Sequence, residues 1–287
     1  MTGQNQNTAW ITGANGLIGN HLLRSAPASA PGWRVRGLTR DQFDLLDFAA
    51  VRREFARDQP QLVLHCAAIS VVAAAQKDPE LARRVNVEAT RLLAELAADI
   101  PFVFFSTDHV FDGRRGNYTE LDAPNPLNRY GETKRAAEEL VLKNSRHLVV
   151  RTSINAGISR AGNRGFNEDL RSALRAGRTM KLFADEFRSP LAAAETARAV
   201  WELAQKKCAG IYHVAGAERL SRFQIGERLV KRWPEVTVKL EAGSARDCPG
   251  PPRALDISLN IAKAQKVLTH PLPKFSEWLA ANPNVEF

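Results

Sequence analysis

The sequence predicts an α/β protein: a doubly wound parallel sheet with a smaller α/β unit toward the C-terminus. Three observations carry this expectation. Short apolar runs alternate with helical periodicity through the first half of the chain, the pattern of βαβ units. A glycine-rich turn, Gly13–Gly19, joins the first apolar run to the first helical stretch. The chain has 287 residues, 44% of them apolar, enough for one large domain or one domain with a smaller partner.

Each element follows from local pattern. Thr8–Thr12 (TAWIT) is a strand that runs directly into GANGLIGN, and a helix from about Leu17 to Ser25 is ended by the turn residues of APASAPG. Trp33–Leu38 and Gln61–His65 are the second and third strands, separated by a helix over Ala49–Asp58 that stops before Pro60. Pro79–Ala98 is one long amphipathic helix with Leu81, Val85, Leu92, Leu93 and Leu96 on its apolar stripe. Phe102–Phe105 is a buried strand, followed by a long loop from Ser106 to Arg129 whose length suggests a function. Arg129–Asn144 is a helix and His147–Arg151 another strand. Beyond Thr152 come a loop over Gly157–Gly165, helices over Phe166–Gly177 and Ala192–Gln205, and a buried strand at Ile211–Val214. A helix from Ser221, a proline-rich stretch (CPGPPR) and a terminal helix complete the chain. The two units therefore interleave: residues 1–155 with about 190–216 form the first, and about 156–189 with 217–287 the second.

Composition narrows the function classes. Disorder as the main state is excluded, since it needs low hydrophobicity with dominant net charge. No apolar stretch approaches the roughly 20 residues that span a bilayer, and MTGQNQNTAW lacks the basic and apolar segments of a secretory signal. Cys66, Cys208 and Cys248 lie far apart with no C-x-x-C pair, which suits free thiols in the cytoplasm, and no metal-ligating set is assigned. Lys and Arg number 40 against 31 Asp and Glu, a formal +9 that favours anionic partners. No basic run marks a nucleic-acid tail, so nucleic acid is not expected as a partner, nor is a membrane. Residues 1–40 contain Arg24, Arg34, Arg36 and Arg40 but no carboxylate, a setting suited to a bound polyanion.

The glycine turn has the spacing Gly13-x-x-Gly16-x-x-Gly19 between a strand and a helix. A dinucleotide pyrophosphate approaches backbone N–H groups at a helix N-terminus, and a Cβ at these positions would hold it off. The second strand ends in Gly37-Leu38-Thr39-Arg40, with no acidic residue to take a ribose 2′-hydroxyl. Arg40 can pair with a 2′-phosphate instead, which favours NADP(H), with NAD(H) as the alternative.

Tyr130-Gly-Glu-Thr-Lys134 places a phenol and an ammonium at i and i+4 on one helical face. A cation beside the phenol would lower its pKa from about 10 toward the working range and make Tyr130 a general acid or base. Ser106-Thr107-Asp108 follows a buried strand, where sites form in open α/β sheets, and a hydroxyl there could hold a substrate carbonyl.

With these residues in place, the chain resembles the extended short-chain dehydrogenase/reductases, and within them the dTDP-4-dehydrorhamnose reductase group of nucleotide-sugar reductases. The matching pieces run in family order: TGANGLIG (12–19), FDLLD (43–47), HCAA (65–68), VNVEAT (85–90), STDHVFDG (106–113), NPLNRYGETK (125–134), VVRTS (149–153), FRSP (187–190) and GIYHVAG (210–216). The resemblance implies a Rossmann-type domain that binds NADPH and a small C-terminal domain for a nucleotide-sugar substrate, with a homodimer allowed. It implies Thr107, Tyr130 and Lys134 as catalytic residues. Cofactor contacts would come from Gly13, Asn15, Gly16, Leu17, Ile18, Gly19, Arg40, Asp44, Leu45, Cys66, Ala67 and Ala68, with Tyr130 and Lys134. Substrate contacts would come from Ser106, Asp108, Val110, Arg188 and Arg253, the two arginines facing the diphosphate.

The chain also departs from that group. His109 stands where a tyrosine is usual, Leu17-Ile18 where Gln-Leu is usual, and Arg188 where glycine is common. These changes bear on which sugar is used, and His109 reads as a packing or hydrogen-bonding residue. The related 4,6-dehydratases carry Asp-Glu after the catalytic threonine, whereas this chain has Asp108-His109, so the resemblance points to a reductase. A non-catalytic alternative is an NADP-binding regulatory protein resembling the β subunit of methionine adenosyltransferase.

Overall fold

The computed structural model describes residues 7–236, 240–247 and 253–286. Cys248 and all of the proline-rich stretch except Arg253 lie outside them.

Strand β1 (Thr8–Thr12) is buried at every position, because both of its faces are covered. Helix α1 (Leu17–Ser29), β2 (Arg34–Leu38), α2 (Phe48–Asp58) and β3 (Leu62–His65) follow. Next come α3 (Val72–Lys77), α4 (Pro79–Arg83), α5 (Ala89–Leu96), β4 (Phe102–Thr107), α6 (Arg129–Val141) and β5 (Leu148–Thr152). The later elements are β6 (Asn155–Ala156), α7 (Phe166–Arg175), β7 (Met180–Phe183), β8 (Phe187–Arg188), β9 (Leu191–Ala192), α8 (Ala193–Gln205) and β10 (Gly210–Val214). The chain ends with β11 (Leu220–Ser221), α9 (Arg222–Val230), β12 (Leu240–Gly243), α10 (Ala262–Val267) and α11 (Phe275–Ala281).

The main sheet has six parallel strands in the order β10-β5-β4-β3-β1-β2. Side chains alternate across it as strand geometry requires. Ala9, Ile11, Leu62, Leu64, Val103, Phe105, Leu148 and Val150 pack toward Leu22, Ala26, Ala197 and Trp201 of α1 and α8. Trp10, Val63, Phe102, Phe104 and Val149 pack toward Val51, Leu92, Leu93, Ala137 and Val141 of α2, α5 and α6. The chain moves one way from β1 to β2 and the other way from β1 to β3, so a crevice opens where β1 and β3 end. A separate core joins Leu170, Leu174, Leu182, Ile225, Leu229, Trp233, Phe275 and Trp278 beyond the sheet. That second core includes two short strands absent from the expected pattern: β7 and β12 pair in parallel.

Three other elements differ from expectation. Helix α1 continues through Pro27 to Ser29 instead of stopping near Ser25. Ala26 and Ala30 are held in the core, and Trp201 Nε1 donates to the Leu22 carbonyl at 3.1 Å, so packing against α8 outweighs the proline. The segment expected as one helix from Pro79 to Ala98 has a π-helical turn over Arg84–Glu88. The wider turn sets Asn86 inside, where it accepts from Ile69 N at 2.8 Å and donates to the Ile69 carbonyl at 3.1 Å and to Thr133 Oγ1 at 2.9 Å. Strand β4 runs two residues past Phe105, so Ser106 and Thr107 belong to the strand and not to the loop.

Helix α6 is set on the sheet by a buried ion pair. Arg151, from β5, donates to Glu138 through Nε at 2.9 Å and Nη2 at 2.7 Å, and the two side chains are 2% and 3% exposed. Glu138→Gln removes one charge and strands the other, so the fold should lose about 3–5 kcal/mol. Urea unfolding of the variant beside the wild type measures it, and a loss below about 1 kcal/mol would show that the pair does not hold the helix.

Candidate active site

The crevice is lined first by the turn after β1 and the loop after β3. Gly13 has φ +67°, and a Cβ there would lie 2.7 Å from the Ala67 nitrogen and 3.0 Å from the Cys66 carbonyl carbon. A Cβ on Gly19 would lie 2.4 Å from the Gly13 carbonyl oxygen. All three glycines thus serve close backbone packing, since a Cβ on Gly16, the N-cap of α1, would lie 3.1 Å from the Gly13 carbonyl oxygen. The first turn of α1 carries no acidic side chain, and the N–H groups of Leu17, Ile18 and Gly19 have no acceptor within the helix. Asn15 donates to Asp41 at 3.3 Å, and its Oδ1 is buried with no partner among the described residues. A concave turn of free N–H groups suits a phosphate-bearing dinucleotide.

The loop after β3 is fixed from beneath. The Thr90 hydroxyl donates to the Asn86 carbonyl at 2.8 Å, so its oxygen accepts from His65 Nε2–H at 2.9 Å. Nδ1 of His65 then accepts from Thr12 at 2.7 Å, and the Thr12 oxygen accepts the Ala67 N–H at 3.2 Å. Burial, helped by the charge of Lys134, holds His65 down to about 3, which keeps the ring neutral and this tautomer intact. Ala67 and Ala68 are half-buried beside the glycine turn. Burial also pushes the neighbouring Cys66 thiol up, so it stays protonated.

The expected adenine end is open. Arg40 is exposed and makes no ion pair among the described residues, Asp44 is exposed with Oδ1 accepting the Leu46 N–H at 3.0 Å, and Leu45 packs partly against the core.

Thr107, Tyr130 and Lys134 meet where β4 and α6 come together, with exposures of 6%, 9% and 2%. Asn128 caps α6 by accepting from Gly131 N at 2.9 Å, which fixes where the helix starts and therefore where Tyr130 points. The phenol neighbours the Thr107 hydroxyl, which acts to lower its pKa. Thr107 donates to Asp108 at 3.1 Å and accepts the His109 N–H at 3.2 Å. The expected action of Lys134 on Tyr130 differs here. Burial lifts the phenol above its ordinary pKa, and the charge that acts on it is Asp108's, which raises it further. The lysine's Nζ lies 3.9 Å over the Phe104 ring, and burial draws it to about 7 against the pull of Glu138.

The substrate-side expectations fare unevenly. Asp108 is buried, accepts from Ser153 at 2.6 Å, and is raised above the ordinary carboxylate range by burial. Ser106 is buried, with an Oγ that has no partner among the described residues. Val110 is fully buried in the sheet core, so it supports the loop and cannot line a cleft. Arg188 is 2% exposed and already engaged: it donates to Glu186 at 2.8 Å, to the Phe187 carbonyl at 2.7 Å and to the Ala254 carbonyl at 3.3 Å. Arg253 is more open and donates to the other Glu186 oxygen at 2.8 Å. His109 packs edge-on against Tyr130 at 5.8 Å and meets Asn128 at 3.2 Å, as a packing and hydrogen-bonding residue would. Sequence reasoning missed Asn86, Glu138, Arg151, Ser153, Glu186 and Arg222. Asn86 lies inside the VNVEAT piece, but its inward turn depends on the π-helical register.

A parallel sheet with a glycine turn at its switch point, and Thr107 and Tyr130 together at the next strand end, is a doubly wound α/β arrangement of the kind that takes ligands at its strand ends. The chain belongs to the RmlD substrate binding domain family, which matches residues 8–283. It is 33% identical to a probable low-salt glycan biosynthesis reductase, Agl14, of Haloferax volcanii over 77% of this chain and 78% of that one. It is 30% identical to a dTDP-4-dehydrorhamnose reductase of Burkholderia thailandensis, covering 86% and 85%. It is 28% identical to the methionine adenosyltransferase 2 subunit beta of Xenopus laevis, covering 90% and 82%. The fold matches the crystal structure of a Bacillus anthracis dTDP-4-dehydrorhamnose reductase in complex with NADP, with TM-score 0.87 and 24% identity over 96% and 98%.

Two fully buried histidines predict acid sensitivity. His65 and His213, the latter on β10, are held down to about 3 chiefly by burial, whereas unfolded histidines titrate near 6.5. Between those values the unfolded chain binds more protons, so stability falls as pH drops below 6.5. Each ring should withdraw about 1.4 kcal/mol per pH unit, or about 4 kcal/mol for the pair at pH 5. Urea midpoints at pH 7 and pH 5 test this, and equal midpoints would mean that the folded protein accepts these protons.

Proposed function

We propose that the protein is an NADPH-dependent oxidoreductase of the short-chain dehydrogenase/reductase type that reduces the C4 ketone of a 4-keto-deoxysugar nucleotide, as a dTDP-4-dehydrorhamnose reductase does. The observation that carries the proposal is the convergence of Thr107, the last residue of β4, and Tyr130 of α6, both buried beside the switch-point crevice. The named reductases among its relatives support the reaction class.

Bound NADPH supplies the hydride. Tyr130 donates the proton to the forming alkoxide; its raised pKa keeps the phenol protonated at neutral pH, which suits an acid in the direction of reduction. Thr107 orients the carbonyl through its hydroxyl. Lys134, buried over Phe104 and drawn by burial to about 7, would offer its Nζ to the ribose hydroxyls near the nicotinamide. The Leu17–Gly19 amides take the pyrophosphate and Arg40 the 2′-phosphate, while Asp44 and Leu45 flank the adenine. NADH is the alternative where Arg40 contributes little. General acid catalysis of this kind supplies about 10²–10⁴-fold, and positioning much of the rest. Residues 1–155 with about 190–216 act as the cofactor domain. Residues from about 156 to 189 with 217–287, built round the second core, act as the sugar-nucleotide domain. We place the protein in the cytoplasm, with a homodimer as the assembly to test. Among the described residues, no helix is long and apolar enough to cross a membrane.

Tyr130→Phe should remove nearly all turnover, followed as NADPH absorbance loss across a panel of nucleotide-linked 4-ketosugars, while NADPH affinity stays at the wild-type value. Wild-type rates in that variant would overturn the assignment. The likeness to the methionine adenosyltransferase β subunit supports a second reading, a regulatory NADP-binding protein. Capture of a stoichiometric partner enzyme, with no NADPH consumption on any ketosugar nucleotide, would favour it.

A further inference from the structure

Behind His109 three guanidinium groups share two carboxylates. Glu186 is 1% exposed. One of its oxygens accepts from Arg188 at 2.8 Å and the other from Arg253 at 2.8 Å. Asp108 lies 4.0 Å from Arg188 and is already hydrogen-bonded by Ser153 and Thr107. The third guanidinium, Arg222, comes no nearer than 3.8 Å to Glu186 and makes no side-chain hydrogen bond among the described residues.

Arg222 is nevertheless held in place. It is the first residue of α9, after a capping box of Ser221 and Gln224, and its backbone N–H donates to the Glu186 carbonyl at 2.9 Å. Its guanidinium lies 4.5 Å over the Phe166 ring, which fixes the plane and leaves the N–H edge free. Arg222 is linked to the Thr107–His109 segment through Glu186 at 3.8 Å, Arg188 to Glu186 at 2.8 Å and Arg188 to Asp108 at 4.0 Å, and the charges of all three arginines reach His109. Burial and repulsion from Arg188 and Arg253 lower Arg222 to about 10, against the attraction of Glu186, as fits a cation short of counter-charge.

We propose that Arg222, in addition to the expected substrate contacts, grips an anionic oxygen group of the substrate through the free edge of its stacked guanidinium. Arg253 flanks the same anion, and Arg188 is the buried support that holds Glu186 between them. A planar fork of N–H donors matches a phosphate or a carboxylate in two-point contact. The anion is then the diphosphate of the nucleotide sugar or a carboxylate on the sugar ring. The inference rests on the sugar-nucleotide reading above.

The test titrates wild type and Arg222→Gln with UDP, dTDP, UDP-glucose and UDP-glucuronate, with NADPH titrated separately. A tenfold or greater loss of affinity for UDP and dTDP, with NADPH affinity unchanged, supports the proposal and identifies the diphosphate. Unchanged UDP and dTDP, with loss of a wild-type preference for UDP-glucuronate over UDP-glucose, supports it and identifies the carboxylate. Equal binding by both proteins, or no binding of these anions by a wild type that binds NADPH, overturns it while the reductase reading stands. A wild type that binds neither anions nor NADPH overturns both. If Arg222→Gln does not fold, Arg222→Lys serves: it keeps the charge but not the fork, and should lose three- to tenfold on the same probes, whereas unchanged binding overturns the proposal.

Discussion

Glu138 and Arg151 form the contact on which the site's geometry depends. Tyr130, Lys134 and Glu138 stand at i, i+4 and i+8 on one face of α6, and all three are buried against the sheet. A face carrying a phenol, an ammonium and a carboxylate would ordinarily turn to solvent. Arg151 reverses that preference by meeting the carboxylate from β5 with two hydrogen bonds. Once the helix is held in that register, Lys134 must lie over Phe104 and Tyr130 must reach the end of β4. The stranding cost of a buried charge makes the register steep: rotating α6 would leave Glu138 and Arg151 each without its partner.

The crevice is set by a second, neutral device. Gly13 packs against the Ala67 backbone with no room for a Cβ, so the turn after β1 and the loop after β3 lie in close contact. Thr12, His65 and Thr90 pass hydrogen bonds beneath them in a single direction, ending at the Asn86 carbonyl. Each polar group in that chain is satisfied only while His65 stays neutral, and burial ensures it. Asn86 ties the same loop to α6 through Thr133, which links the cofactor side of the crevice to the catalytic helix.

Electrostatics divides between surface and interior. Several arginines pair with carboxylates on exposed helix faces, as Arg91 does with Glu95 at 2.7 Å, and such pairs contribute little to stability. The informative positive charge lies inside, around Glu186, where the dielectric is low and a missing counter-charge is felt strongly. The net +9 signals an anionic partner only loosely; three arginines around one buried glutamate say more.

The parallel sheet was legible because its signals are local: TAWIT, LVLH and FVFF are short apolar runs, and the glycine spacing sits between a strand and a helix. Thr107, Tyr130 and Lys134 were legible from spacing and family order, because helix and strand periodicity places them once the element types are known. Periodicity could not show the π-helical turn at Asn86, the passage of α1 through Pro27, or the pairing of β7 with β12. Each of these depends on contacts with segments distant in the chain. For the same reason the sequence assigned Val110 and Arg188 to the substrate, while the fold gave one to the core and the other to Glu186. The sequence by itself determined which residue types stand where the proposed chemistry needs them, since residue type and local spacing are written in it. Only the tertiary structure decided which of them are free to act, because burial and partners come from residues tens of positions away.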